Sequence, residues 1–352
     1  MIIFELNNFQ FKEMKALKYI LFLLLIAIIG LAIYIAVQPN EFEVSRTRTI
    51  KAPAPVVYNN VIDFKNWESW SSWVEADPDM KITLPEQTKG VGGSYTWEDK
   101  DGIGTMTNNA TTPNQSIQQV MQFADFPPSN VTWGFKQNDD GSTDATWTIS
   151  GKDLPFGFKA FATLMGGMEK QIAPHYERSL EKLDSIVQES MKAYAVKIEG
   201  ITEYGGGFYM YKTTSATSTN ISQIIGKQFG EIMGYMAQNS IVSYGMPFTI
   251  YNEMNAENGS VIMSNAIPVR DKVIVDRNSE VLCGYIPKTK VLKTTLKGNY
   301  TNLPEAWKAT MDYIAKNNLE FSDLKPFEIY ATDPGNLPNP ADWVTEIYIP
   351  IK

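Results

Sequence analysis

An uncharged apolar run near the N-terminus is the feature that most limits how this chain can fold. Residues 19–37 read YILFLLLIAIIGLAIYIAV and carry no charged side chain. As an α-helix with a rise of about 1.5 Å per residue, the run is about 29 Å long, which matches the roughly 30 Å hydrocarbon core of a bilayer. We therefore predict a single-pass membrane helix over residues 19–38, preceded by an N-terminal tail at 1–18, with the lipid bilayer as a partner.

A cleavable signal peptide is the alternative explanation of this run. The apolar region of a signal peptide usually has ~7 to 15 residues and ends in small residues, whereas this run is longer and residues 36–38 read Ala-Val-Gln. Lys12, Lys15 and Lys18 precede the run, and three basic residues also follow it by residue 51. Because the three lysines stand closer to their end of the helix, we predict a cell-membrane location with both folded domains on the outer (periplasmic or extracytoplasmic) side.

The composition excludes several classes of site. The chain has one cysteine, Cys283, and one histidine, His175, so neither an intramolecular disulfide nor a multi-histidine zinc site can form. Its 39 acidic residues outnumber its 31 basic residues, and the net charge of -8 disfavours contact with a phosphate backbone. No glycine-rich loop leads into a helix as a phosphate site requires. We therefore predict no metal, no organic cofactor and no nucleic-acid partner.

Residues 42–190 read as a sheet followed by a long helix. Short β-like runs separated by Asp-Gly, Pro-Pro and Asp-Asp-Gly turns predict an antiparallel meander. Apolar residues at 3–4 spacing from Phe158 to Val187 predict a long helix, and Pro174 is expected to start or kink its second part. His175 on this helix is expected to lie on the surface. Six tryptophans are expected to be mostly core: Trp67, Trp70, Trp73, Trp97, Trp133 and Trp147.

Three segments of this block carry a family resemblance: IKAPAPVVYNNVIDFKNWESWSSW (50–73), GVGGSYTWEDKDGIGTM (90–106) and ERSLEKLDSIVQ (177–188). They resemble the START-like, polyketide cyclase-type SRPBCC domains over essentially the whole block. The resemblance implies a helix-grip fold, in which an antiparallel sheet and a long C-terminal helix enclose a mostly apolar cavity. Many such proteins only bind or carry ligands, and we nominate no catalytic residue here.

Residues 195–352 contain an internal repeat. The matching segments are KTT at 212–214 and 293–295, and PFTIY at 247–251 with PFEIY at 326–330. A helix-periodic run lies between the matching segments of each half, at 221–237 and 305–315, and a further strand follows, at 260–268 and 345–351. We therefore predict two strand–helix–strand units, each with an added strand. Such a duplication creates a cleft where the halves meet, and ligand sites favour such junctions.

The last two predicted strands share the triplet Glu-Ile-Tyr. Alternation places Glu328 with Tyr330 on one face of the first strand, and Glu346 with Tyr348 on one face of the second. If these strands are neighbours, we expect two acids and two phenols on the same sheet face, although the first repeat has Thr249 in place of Glu328. These residues form either the solvated face of an antiparallel sheet or an aromatic cage around a carboxylate, which would attract a cationic ligand.

This block also carries a resemblance, in LKGNYTNLPEAWKATMDYIAKNN (296–318), KPFEIYATDPGNLPNPADW (325–343) and TEIYIPIK (345–352). These segments resemble the GyrI-like, AraC-type effector-binding domains. The resemblance implies that the acid of the final strand, here Glu346, meets amphipathic cations. It also places Glu328 and Tyr330 on the motif of the penultimate strand. Gly298 and Tyr300 fall on the G-x-Y motif.

Together, these patterns predict an α+β protein: an anchor helix, a helix-grip domain at 42–190 and a duplicated strand–helix–strand–strand effector-binding domain at 195–352. We expect it to bind a hydrophobic or amphipathic, cationic small molecule, with Glu346 and Glu328 as acids and Tyr300, Tyr330 and Tyr348 as aromatic walls. Such a protein would sense or sequester hydrophobic or toxic compounds.

Two alternatives to simple binding remain open. Some GyrI-like relatives hydrolyse reactive cyclopropane-bearing natural products with paired acids, so a hydrolase would use Glu328 and Glu346 as acid and base. A non-catalytic scaffold for protein partners is the other alternative. Relatives often carry a DNA-binding helix-turn-helix, but no basic recognition helix precedes this domain, and we do not expect direct gene regulation.

Overall fold

The computed structural model describes the backbone of residues 2–255 and 258–352, and the side chains of 17–255 and 258–352. The chain divides into two compact units, of which the first ends at Val187 and the second begins at Gln188. Each unit is built on one antiparallel sheet with helices packed on it. The predicted α+β class is confirmed.

The first helix, α1, runs over Ile2–Ala36, so the predicted tail at 1–18 continues into the same helix over its described backbone. The segment Leu17–Ala36 is long and apolar enough to cross a membrane, and most of its side chains are exposed. A signal sequence near the N-terminus passes the same test of length and composition. Lys12 and Lys15, on which the predicted orientation depends, lie outside the residues whose side chains are described.

The sheet of the first unit is the predicted antiparallel meander with the first strand added at its edge. Its strand order is β1-β7-β6-β5-β4-β3-β2. The strands are β1 Glu41–Ile50, β2 Lys81–Thr83, β3 Ser94–Asp99, β4 Gly102–Thr112, β5 Ser116–Phe123, β6 Ser129–Gln137 and β7 Thr143–Lys152.

Five helices accompany this sheet: α2 Ala54–Ile62, α3 Trp67–Trp70, α4 Ser72–Ala76, α5 Phe156–Leu164 and α6 Met168–Lys192. The predicted long helix is therefore two helices, and the break lies at Gly166 and Gly167 rather than at Pro174. Both glycines have positive φ, +87° and +97°, a conformation that ends a helix at little cost only for glycine. Pro174 lies inside α6, so the expectation that it starts the second helix is wrong, and the alternative that it kinks this helix stays a prediction.

Stacked aromatic rings fill the contact between this sheet and α6. Trp133 and Trp147 of neighbouring strands stack with centroids 4.5 Å apart, and Trp147 stacks on Tyr176 of α6 at 3.8 Å. These packed rings confirm that most of the tryptophans are core. His175 is half-buried rather than on the surface, because its ring stacks on Trp73 at 4.8 Å, and this burial lowers its pKa.

The second unit has an eight-stranded sheet in the order β12-β9-β11-β10-β14-β15-β13-β8. Its strands are β8 Ala195–Tyr204, β9 Gly207–Thr217, β10 Phe248–Met254, β11 Ser260–Val269, β12 Leu282–Ile286, β13 Thr289–Lys297, β14 Phe327–Tyr330 and β15 Val344–Pro350. Its helices are α7 Ile221–Gln238 and α8 Leu303–Lys316. The duplication is confirmed: β9–α7–β10–β11 repeats as β13–α8–β14–β15, and β10 pairs with β14 where the halves meet.

The two faces of this sheet bury different clusters. On one face, α7 packs on Met210 and Ile267, and α8 packs on Leu292 and Ile347. On the other face, aromatic side chains form a cluster of their own that includes Phe248, Phe327 and Tyr348. Each strand of the central pair therefore sends alternate side chains into two separate interiors.

Candidate functional site

A cavity of about 1900 Å³ lies between α7 and α8, above the central strands β10 and β14 of the second unit. Apolar and aromatic side chains supply most of its lining, and few polar groups reach into it. An apolar cleft with a small number of convergent polar groups is the usual form of a small-molecule site. The lining includes Phe229, Met233, Tyr251, Tyr300, Trp307, Met311, Glu328, Tyr330 and Trp343.

Glu328 is the buried acid of this cavity, with 1% of its surface exposed. Its Oε2 accepts a hydrogen bond from the hydroxyl of Tyr251 at 2.9 Å and lies 3.3 Å from the hydroxyl of Tyr330. Its Oε1 accepts a hydrogen bond from the indole Nε1 of Trp307. The carboxylate is thus held by donors from β10, β14 and α8.

Strand alternation explains why this acid points into the cavity. In β14, Phe327 faces the aromatic cluster, so the next residue, Glu328, faces the helices. Trp307 comes from the second turn of α8, where its indole reaches Glu328 and its ring contacts Tyr251 edge to face at 5.4 Å. The site therefore combines a strand acid with a helix donor from the same repeat and a phenol from the other repeat.

A chain of buried polar side chains continues from Tyr330 to helix α7. The Tyr330 hydroxyl lies 3.1 Å from Thr249 Oγ1, and Thr249 donates to Asn265 Oδ1 at 2.7 Å. Asn265 Nδ2 in turn donates to Gln228 Oε1 on α7 at 2.7 Å. Together with Glu328, these groups form a hydrogen-bonded path across three strands, from one helix to the other.

The electrostatic balance around Glu328 is set by burial. Burial raises the pKa of this carboxyl, and the hydrogen bonds from Trp307, Tyr251 and Tyr330 oppose the rise. Burial also raises the pKa of the Tyr251 and Tyr330 hydroxyls well above the ordinary value, so both remain donors over the working pH range. A buried carboxylate held only by neutral donors lacks a counter-charge, and a cationic ligand would supply one.

Tyr300 lines the same cavity, and its role as an aromatic wall for a ligand stays a prediction. Its ring is 5.6 Å from Tyr330 and 4.8 Å from Trp343, and burial raises its pKa to about 12. The glycine of the motif, Gly298, has φ +139°, and an added Cβ there would collide with Tyr194. The motif thus combines a backbone position that requires glycine with an aromatic wall of the cavity.

Glu346 and Tyr348 lie on the opposite face of the sheet from this cavity. The antiparallel register pairs Glu328 with Ile347 and Ile329 with Glu346, so the two acids point in opposite directions. The expectation that the two Glu-Ile-Tyr triplets share one face is therefore wrong. Alternation holds within each strand, but the register between the strands places each glutamate opposite an isoleucine of the other strand.

Glu346 already has close partners on its own face. Its Oε1 lies 2.7 Å from Lys293 Nζ on the neighbouring strand, and its Oε2 accepts a hydrogen bond from the Tyr348 hydroxyl at 2.7 Å. The Lys293 ammonium also lies 5.4 Å from the centre of the Tyr348 ring. This carboxylate is neutralised by a lysine, whereas the donors to Glu328 among the described residues, Tyr251, Trp307 and Tyr330, are all neutral.

The sequence interpretation missed four residues of the hydrogen-bonded network around Glu328 and Tyr330. Tyr251 carries a signal, because it is the repeat counterpart of Tyr330. Trp307, Gln228 and Asn265 carry none, since a tryptophan or an amide in an amphipathic element reads as ordinary core or surface. Among the residues that the structure describes, no group of three or more His, Cys, Asp or Glu side chains could hold a metal ion. The absence of a metal and of a cofactor stays a prediction.

Solved structures resemble parts of this chain. The C-terminal domain of EcmrR is 18% identical, with a TM-score of 0.37, over 45% of this chain and 98% of that chain. EcmrR in its complex with DNA is 17% identical, with a TM-score of 0.38, over 56% of this chain and 71% of that chain. Protein CV1439 from Chromobacterium violaceum is 17% identical, with a TM-score of 0.33, over 42% and 96% of the two chains.

Two protein families match the chain in sequence, whereas no curated protein matches it. Residues 41–188 match the family described as polyketide cyclase / dehydrase and lipid transport. Residues 208–352 match the family described as GyrI-like small molecule binding domain. The chain thus carries a domain of the polyketide cyclase/dehydrase and lipid transport family, followed by a GyrI-like small-molecule-binding domain.

Proposed function

We propose that this protein is a membrane-anchored binder of amphipathic, cationic small molecules, which it senses or sequesters in the cavity of the GyrI-like domain. The observation that carries the proposal is Glu328, a buried carboxylate in an aromatic cavity with only neutral donors around it. We assign the counter-charge to Glu328 rather than to Glu346, because Glu346 faces away from the cavity and is paired with Lys293.

The charge of the lining supports a cationic ligand. Its ionisable groups include two acids, Glu328 and Asp333, and one lysine, Lys308. Lys308 is paired with Asp312 at 2.6 Å, so its charge is largely compensated. A cation that enters the cavity would therefore meet an uncompensated carboxylate, and the interaction is strengthened by the low polarity around Glu328.

The aromatic and methionine side chains of the lining support an amphipathic ligand. Tyr300, Tyr330, Trp307 and Trp343 supply ring faces, and each ring that meets the cation contributes roughly 0.5–2 kcal/mol. Met233 and Met311 are exposed at the cavity and adapt to ligands of different shape, because their side chains are unbranched and flexible. The cavity therefore suits apolar bodies that carry a positive charge.

The hydrolase alternative has less support than binding. It requires Glu328 and Glu346 to act on one substrate, and the strand register sends these two carboxylates to opposite faces of the sheet. We also keep the prediction that nucleic acid is not a partner, which the net charge of -8 supports.

The proposal is tested by calorimetric titration of the full chain in detergent micelles. The probes are tetraphenylphosphonium, a lipophilic cation, and triphenylphosphine oxide, a neutral compound of similar shape. We expect the cation to bind more tightly, and Glu328→Gln to weaken it about tenfold or more, because the variant keeps the shape of the side chain and removes its charge.

Glu346→Gln is the matched control, since it removes a carboxylate from the other face of the same sheet. It is expected to leave the affinity for the cation within about twofold. Equal affinity for the cationic and neutral probes would contradict the proposal. If Glu346→Gln weakens the binding of the cation more than Glu328→Gln does, Glu346 rather than Glu328 would be the counter-charge of the ligand.

A further inference from the structure

Helix α5 presents an apolar face beside the end of the candidate membrane helix. Phe161 and Leu164 are 46% and 67% exposed, and Phe156 and Met165 are exposed as well. Leu164 and Met165 lie three and four residues after Phe161, so the three side chains form one stripe along the helix and the residue that follows it. Contiguous exposed apolar side chains of this size mark an interaction surface.

The opposite side of α5 is fixed to the chain that leaves α1. Lys159 Nζ on α5 donates to the carbonyl oxygens of Ala36 at 2.9 Å and Gln38 at 3.0 Å. Phe158 of α5 stacks on Phe42 of β1 with centroids 5.8 Å apart. A lysine on the last carbonyls of a helix is favoured by the helix dipole, so this contact holds α5 at the C-terminal end of α1.

The sequence of α1 indicates where the contact between Lys159 and the end of α1 lies relative to a bilayer. Its apolar side chains continue through Val37, which is 73% exposed, and the first polar residue is Gln38. Tyr34 is exposed in the last turn of α1, where interfacial aromatic residues are common in membrane helices. If Leu17–Ala36 spans a bilayer, the carbonyls that Lys159 binds lie at the boundary between headgroups and acyl chains.

We propose that α5 is an interfacial membrane-binding helix, whose Phe161, Leu164 and Met165 insert into the lipid at this boundary. The inference rests on the membrane anchoring of α1 that is part of the proposed function. The lipid is the occupant because the hydrogen bonds from Lys159 to the carbonyls of Ala36 and Gln38 hold α5 at the end of α1, where a membrane span leaves the hydrocarbon core. An amphipathic helix at such a boundary buries its apolar face roughly 5–10 Å into the lipid.

The test measures the depth of single labels in the full chain, reconstituted into phosphatidylcholine vesicles. In a Cys283→Ala background, one cysteine at a time is placed at Phe161, Leu164, Leu24 or Asp139 and labelled with the fluorophore NBD. Leu24 lies within α1, and Asp139 lies in the exposed turn before β7, at the end of that strand remote from α5. Quenching is measured with doxyl lipids, whose quencher sits near the headgroup or deep in the chain, and with aqueous iodide.

We expect the labels at Phe161 and Leu164 to be quenched most strongly by the shallow lipid quencher, at least about twofold more than the label at Asp139. Iodide should quench the label at Asp139 and should not quench the labels at Phe161 and Leu164. Both substituted side chains are exposed, so the variants are expected to fold.

Three results would overturn the inference. Iodide access at Phe161 and Leu164 equal to that at Asp139, with the Leu24 label quenched by the deep lipid quencher, would leave the anchor standing and place α5 in water. Protection of both labels from iodide and from the lipid quenchers would show that protein covers the stripe, either a partner or a second copy of the chain. A Leu24 label that the deep quencher does not reach would refute the anchor and the inference together.

Discussion

The buried carboxylate of Glu328 lowers the stability of the folded state and is also the acid of the candidate site. Its carboxyl is almost fully buried, and its partners Tyr251, Trp307 and Tyr330 are all neutral. The charged form therefore lacks the solvation of water, and hydrogen bonds replace only part of it. Residues that weaken the folded state in this way are typical of binding sites, where a ligand supplies what the fold does not.

This environment predicts a pH-dependent gain of stability in Glu328→Gln. Because burial raises the pKa of Glu328 in the folded state, folding favours the protonated form, and the stability that this form contributes is lost as the pH rises through the raised pKa. At pH 8 the variant should unfold with a free energy about 1 kcal/mol or more above that of the wild type, and the difference should vanish toward pH 4.

Thermal unfolding of both proteins in detergent between pH 4 and pH 8 measures this difference. Glu346→Gln is the control, since it breaks the ion pair with Lys293 and should bring no gain at high pH. A gain in Glu328→Gln that is the same at every pH would contradict the prediction.

At the scale of elements, helix α7 is tied to the central strands by polar groups as well as by its apolar face. Gln228, Asn265 and Thr249 form a buried path that reaches Tyr330 on the other half of the sheet. A buried network is stabilising when every member has a partner, and it is costly when one member is lost. This path therefore adds a few specific side-chain hydrogen bonds to the strand pairing that joins the two repeats.

Thr249→Val tests this dependence, since the new side chain has nearly the same shape and no hydroxyl. It leaves Asn265 Oδ1 without its donor, so we expect the free energy of unfolding to fall by about 1–3 kcal/mol. Thr202→Val on the exposed strand β8 is the matched control, with an expected change within about 0.5 kcal/mol. Chemical denaturation in detergent measures both, and equal effects of the two changes would refute a structural role for the path.

The elements also show how far the sequence determines the site. Alternation placed Glu328 and Tyr330 together, and the repeat predicted the central cleft, because both depend on patterns within a strand or a half. The relation of Glu328 to Glu346 depends on the register between two strands, and the intervening loop sets that register without a periodic signal. In the same way, the break in the predicted long helix lies at Gly166 and Gly167, although Pro174 is the stronger local signal.

At the scale of the whole molecule, the N-terminal helix fits either a membrane span or a signal sequence. A membrane span and a signal sequence both pass the test of length and composition that this helix passes, so the chain recovered from cells decides between them. We expect the intact mass of the membrane-extracted protein to include residues 1–38. Recovery of a shorter chain that begins near residue 38 would identify a removed signal.

The double variant Leu24→Arg with Ile28→Arg tests whether this helix spans the bilayer. Both side chains are exposed in α1, so the change leaves the packing of the domains intact. Each arginine near the centre of a span costs about 2.5–3.5 kcal/mol, and the variant should therefore shift to the soluble fraction or fail to insert. Arginine at Glu41 and Lys51, beyond the helix, is the control and should leave fractionation unchanged.

Thr249 and Glu328 are direct cross-strand partners at the centre of the duplicated sheet. If both repeats had kept the acid, two carboxylates would face each other there, and their repulsion would push one of them to bind a proton. With threonine in one half, the two-fold arrangement of strands and helices encloses a cavity in which Glu328 is the buried acid of the described lining. A ligand of the proposed cationic kind would then have a defined head and tail, with its positive group toward Glu328 and toward Trp307 of α8 and its apolar body toward α7. The two repeats share the same strands and helices, and the difference between Thr249 and Glu328 makes the two ends of the cavity chemically different.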